Sequence, residues 1–295
     1  MKRLIINADD FGLTKEINHG IIQAHKKGIL TSTSMVAVGE AFDEAVALVK
    51  QNPTLDVGVH LTLVEEKSIL EQSEVPTLVN SQGYFRKSAF TFLRDYILNK
   101  INMNEVRLEL RAQIERIHDS GIFVSHIDSH QHLHILPKVL PIVIQLAQDF
   151  HIQTIRSPFE QPKWQYVFSI RTWPRLIQQL GLNFSHSNAR NILRSYAPDH
   201  FFGFFYGGHL NAVRLARIIS YLPEGISEIM CHPGFAGGRS SEKYAHWRYD
   251  WWNECCVLMD EEILDLVRGK RVILSSFRAM RGVDNTNCVD RTETK

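Results

Sequence analysis

Short apolar runs alternate with stretches of helical period along this chain. Leu4 to Ala8 reads as a strand, and Lys15 to Gly28 as a helix with Ile17, Ile21, Ile22 and Ala24 on one face. Thr14 is placed to cap that helix and Gly28 to close it. Ser32 to Val38 reads as the second strand, and Phe42 to Gln51 as the second helix, stopped before Pro53. Val57 to Leu61 and Val124 to Ser129 are the third and fourth strands. A helix follows from about Pro137 to Phe150, with proline suited to its first turn. Thr154 to Ser157, Glu228 to Cys231 and Arg271 to Ser275 bring the strands to seven.

Strands alternating with helices predict an α/β fold with a parallel sheet. Seven such units over residues 1–280 suggest a single-domain (β/α) barrel, seven-stranded and distorted relative to a TIM barrel. An open doubly wound sheet is the alternative. In either architecture, reactive groups gather where strands end in the carboxyl direction. Two insertions break the rhythm, one near 62–104 and an aromatic-rich one near 161–208, and residues 281–295 form a polar tail.

The composition is ordinary globular, with 44% hydrophobic and 22% charged residues. A formal net charge of +1 offers no field to hold nucleic acid. Cys231, Cys255, Cys256 and Cys288 include no C-x-x-C pair, which argues against a thiolate zinc site or a disulfide framework. Leu4 to Ile6 is too short for a signal-peptide core, and no apolar run approaches the ~20 residues that span a bilayer. A soluble, cytoplasmic protein is the expectation.

The chemistry concentrates at strand ends. His126-Ile127-Asp128-Ser129-His130-Gln131-His132-Leu133-His134 places five ionisable residues at spacing two, so that His126, Asp128 and His130 share one face of a strand. Imidazoles and a carboxylate in one place suit a divalent metal. A hydrogen-bonded histidine cluster is the bland alternative. Asn7-Ala8-Asp9-Asp10-Phe11-Gly12 ends the first strand with adjacent carboxylates that repel when desolvated, a conflict a cation removes. Gly12 permits a sharp turn that brings both toward one pocket. His60, His232 and Arg156 also terminate apolar strands. Each alone is more often structural, but all five signals fall on the same edge of one sheet.

The motifs Asn7-Ala8-Asp9-Asp10-Phe11-Gly12, Gly58-Val59-His60-Leu61-Thr62, Asp128-Ser129-His130-Gln131-His132-Leu133-His134 and Cys231-His232-Pro233-Gly234 together resemble the YdjC-like carbohydrate deacetylases. The likeness runs from Lys2 to about Ser276, and the stretch Glu65 to Phe85 looks most like the branch associated with hopanoid biosynthesis. The resemblance implies a β/α barrel and one divalent ion, Mg2+ or Zn2+, held by Asp10, His60 and His130, with Asp9 as catalytic base. A more distant likeness to polysaccharide deacetylases implies His232 as general acid and Arg156 orienting Asp9, with the Phe159 N–H near the oxyanion. His126, Asp128, His132 and His134 are then candidates to support the ligands or touch substrate.

The implied substrate is an N-acetylated sugar: an N-acetylglucosaminyl hopanoid or other glycolipid, or alternatively a chito-oligosaccharide. A glycolipid would bring peripheral membrane contact, and a homodimer is left open. The aromatic run Phe201 to Tyr206, with Trp247, Trp251 and Trp252, reads either as a sugar-stacking or lipid-facing wall or as core packing. A glycoside hydrolase would need two separated carboxylates, which adjacent Asp9 and Asp10 fit poorly. A metal phosphoesterase lacks a second carboxylate-rich cluster, and a non-catalytic metal or sugar binder is the reading from another class.

Overall fold

Strand β1 (Lys2–Phe11) is the axis of the sheet, and its core residues Leu4, Ile5, Ile6 and Ala8 are fully buried. The computed structural model describes residues 1–160, 187–280 and 282. Beside β1 run β2 (Ser32–Met35), β3 (Asp56–Leu61), β4 (His126–Ser129) and β5 (Thr154–Ile155) on one side. On the other lie β7 (Gly225–Cys231) and then β6 (His200–Phe202). Every pairing is parallel, and the seven strands follow the order β5-β4-β3-β2-β1-β7-β6. A two-residue strand, β8 (Ile273–Leu274), pairs with the start of β1. The sheet curls into the distorted β/α barrel that the alternation predicts.

All seven expected strands are present. The unexpected one is β6, which lies inside the aromatic-rich insertion. Residues 161–186 of that insertion and the polar tail, apart from Gly282, fall outside the described residues. The buried Phe201, Phe204 and Phe205 pack with Met230 into a small cluster of their own. That run is therefore core, and the lipid-facing wall is not found there; Trp252 is half-exposed and Trp251 buried.

Helices cover the outside of the sheet, and their caps explain their bounds. Thr14 Oγ accepts from the Ile17 N–H at the start of α1 (Lys15–Lys27), whose Ile17 and Ile21 are fully buried. Burial of each is worth about 1.5–3 kcal/mol. The helix α2 (Phe42–Gln51) ends before Asn52-Pro53, as its sequence dictates. The first insertion holds the short helix α3 (Ala89–Ile97) and leads into α4 (Met103–Asp119); α5 (Leu140–Asp149) precedes β5. Among the described residues, no helix is long and apolar enough to cross a membrane.

Candidate metal centre and active site

The register of the parallel strands decides what meets at their carboxyl ends. His60 on β3 pairs with Asp128 on β4, and Ala8 on β1 pairs with Cys231 on β7, which sets His232 beside Asp9. Between Ala8 and Phe11 the β1–β2 register shifts, and Asp10 takes a left-handed φ of 69°. Such a bulge re-aims side chains, so the adjacent Asp9 and Asp10 both enter the pocket. Gly12, at φ 91°, completes the turn.

Ligand atoms of Asp10, His60 and His130 lie within 4.8 Å of one another. His60 Nε2 and His130 Nδ1 stand 3.5 and 3.3 Å from Asp10 Oδ1. Both Asp10 oxygens are buried with no hydrogen bond. Buried polar atoms are rarely left unpaired without a reason, and a carboxylate with two imidazole nitrogens around it is a donor set that fits a divalent cation. The charges agree. Burial raises the Asp10 pKa, yet the two histidines bring it down to about 2. Burial lowers the His130 pKa, yet Asp10 and Glu65 on its two nitrogens lift it to about 10. The field that holds a proton there is one that would hold a cation.

The surrounding polar groups lock this set. His60 Nδ1 lies 2.7 Å from Asp128 Oδ1, which fixes its proton on that side and leaves Nε2 facing Asp10. Burial opposes a charge on His60, and the Asp128 carboxylate raises its pKa. Ser34 Oγ donates to Asp128 Oδ2 at 2.6 Å and lies 3.1 Å from His126 Nε2. His126 and Asp128 thus share one face, as their spacing predicts. His130 does not belong to the strand: β4 ends at Ser129, and His130 opens a short 3-10 turn, His130–Ile135, that still delivers it to the same pocket.

Asp9 is held by Arg156 in a two-pronged contact, 2.7 Å on each oxygen, and by Asn7 Nδ2 at 3.0 Å. Arg156 is fully buried, and also reaches Asp128 at 2.8 Å and Glu228 at 2.6 Å. Burial works against its charge, but Asp128, Asp9 and Glu228 keep it protonated. His134 bridges Ser129 and the Arg156 carbonyl. His132 lies apart from this network, with its ring stacked on Phe204 at 5.5 Å and edge-on to Phe201. Burial holds His126 and His134 down at about 3 and about 4 and puts His132 well below the usual imidazole range, so all three are neutral at pH 7. Phe159 is buried in the main core beyond β5.

Several neighbours were not foreseen. Glu228 interrupts the apolar β7 run, a signal that was present in the sequence. Glu254 accepts the backbone N–H of His232 at 2.6 Å and so fixes that loop. Glu65, and Trp247 from the expected aromatic wall, line a small cavity with Asp10 and His130. Nothing in the sequence pairs these two.

The family model of the YdjC-like protein matches residues 3–269. A carbohydrate deacetylase of Brevibacillus brevis is 31% identical over 93% of this chain and 98% of its own. One from Thermoanaerobacter pseudethanolicus is 28% identical over 95% and 100%. A crystal structure from Enterococcus faecalis, assigned to cellobiose-phosphate cleavage, superposes with a TM-score of 0.72 at 29% identity, covering 95% of this chain and 98% of that one. With its motifs at the ends of the strands and a match spanning nearly the whole barrel, the chain belongs to the YdjC-like family.

Proposed function

We propose that this chain is a metal-dependent carbohydrate deacetylase that hydrolyses the acetamide of an N-acetylated sugar. The observation that carries this reading is the meeting of Asp10, His60 and His130 beside the clamped Asp9. The carbohydrate deacetylases among its relatives support the reaction class. Two imidazoles to one carboxylate favour Zn2+ or a similar transition-metal ion over Mg2+. Such an ion, when bound, lowers the pKa of water toward about 7 and polarises the acetyl carbonyl.

The remaining work falls to the chain itself. Asp9, aimed by Arg156, accepts the proton of the attacking water. Asp128 keeps the His60 proton on Nδ1, away from Asp10. His232 gives a proton to the departing amine, which cannot leave as an anion. The Phe159 N–H is assigned to the oxyanion, following the more distant likeness, and Trp247 walls the cavity for the sugar.

The likeness of residues 65–85 supports an N-acetylglucosaminyl glycolipid of the hopanoid type as the finer assignment. Burial of Phe201, Phe204 and Phe205 removes one apolar surface that would favour a lipid, so a chito-oligosaccharide stands as the second reading. Purified protein is incubated with each, and free acetate is followed. Acetate release that stops with a chelator and returns with Zn2+ is the expected result. Binding without any acetate from either substrate would leave a sugar-binding protein instead.

A further inference from the structure

Two adjacent carboxylates just beyond β3 fasten a distant segment across the site. Glu66 is buried, and takes the Tyr244 hydroxyl at 2.6 Å and the Lys243 ammonium at 2.8 Å. Glu65 faces the metal centre. Its Oε2 lies 3.0 Å from His130 Nε2 and accepts the Trp247 indole N–H at 3.0 Å. Its Oε1 lies 3.1 Å from His246 Nε2. The Trp247 and His130 rings are 5.0 Å apart. Glu65 holds a left-handed φ of 70°. A non-glycine residue keeps such a conformation only where its surroundings over-determine it, and such residues cluster at functional sites.

We propose that Glu65 is a positioning residue that joins His130 to the strap Lys243–Trp247. This rests on the metal-dependent reading of the site. By accepting from His130 Nε2, Glu65 fixes the imidazole proton there and leaves Nδ1 turned to Asp10. The same oxygen seats the indole that walls the cavity. Occupancy of the cation site and seating of the aromatic wall are therefore coupled through one carboxylate.

The test titrates Zn2+ into the full chain by calorimetry while following tryptophan fluorescence, with Trp247→Phe identifying the Trp247 contribution. Wild type should bind Zn2+ with a Trp247-dependent change. Glu65→Ala should bind about 10–100-fold more weakly, the usual cost of a lost partner to a liganding histidine, and lose that change. Glu65→Gln removes the charge but keeps an oxygen acceptor, and should recover most of the affinity. Glu65→Ala at wild-type affinity, or Glu65→Gln as weak as the alanine variant, overturns the proposal. Should the alanine variant fail to fold, Trp247→Phe decides: it keeps a ring but removes the shared N–H, and an unchanged Zn2+ affinity overturns the coupling. Wild type that binds no divalent ion at all instead overturns the metal reading itself, and this inference with it.

Discussion

Arg156 is the residue on which the polar interior turns. One guanidinium, fully buried, faces Asp9, Asp128 and Glu228. Three carboxylates around one cation leave excess negative charge. Burial is the largest effect on Glu228 and pushes it up to about 7, so a proton there relieves part of that excess. Removing the cation strands the rest. Arg156→Ala should cost about 3–5 kcal/mol, the scale for breaking a buried pair from one side, and chemical denaturation would read it. Asp9→Asn is the gentler change, because Arg156 keeps two partners. It should leave the fold and the bound metal content intact while acetate release falls by about 10²–10⁴, the range for a lost general base. Activity surviving in that variant would move the base elsewhere.

At the scale of elements, close approach and capping hold the reactive loops. Residue Gly20 of α1 lies against the loop that carries His232, and a Cβ there would collide with the Gly234 backbone. Gly20→Ala should therefore cost about 1–3 kcal/mol, as overpacking does, seen as a lower Tm with reduced turnover. The helix Trp251–Leu258 holds the same loop through Glu254, which accepts the N–H groups of Leu210 and His232. Burial raises the Glu254 pKa from 4.5 to about 8. The folded state then binds the extra proton, so this group's contribution is full below pH 4.5 and declines as pH rises toward 8. Glu254→Gln removes that slope, and its Tm should gain on wild type between pH 5 and pH 8, over a constant offset. A Tm difference that stays flat over that range would place the Glu254 pKa near its ordinary value. The elements themselves were largely legible. α2 matches its apolar period end to end, because Pro53 stops it. β1 was read only to Ala8, since Asp9 and Asp10 break the apolar run, yet its backbone pairing continues through a bulge to Phe11. β6 was hidden, as three residues carry no period. His60, Arg156 and His232 could be found because each lies at the end of an apolar strand, and His130 because it continues the spacing-two run of His126 and Asp128. Trp247 was named only as part of an aromatic wall; Glu65 and its contact with Trp247 could not be found, because the two are 182 positions apart and no periodicity links them.

For the whole molecule, the candidate metal site is a cross-link as much as a reaction centre. Its three side chains come from the carboxyl ends of β1, β3 and β4, and the chain between Asp10 and His130 includes α1 to α4. No unfolded chain holds these groups together, so an ion that binds here binds the native state and stabilises it. At a free concentration one hundred times Kd, the linkage amounts to about 2.7 kcal/mol. For a chain of 295 residues that converts to a Tm rise of about 4 °C. Stripping the protein with a chelator should lower Tm by that amount, and adding back Zn2+ should restore it. Asp10→Asn should remove the response, since it takes away the one carboxylate of the set, while Asp9→Asn should keep it. The comparison separates a shared ion from a general effect of the chelator. If Asp10→Asn and wild type respond alike, Asp10, His60 and His130 do not hold a common ion, and their meeting at the end of the sheet needs another explanation.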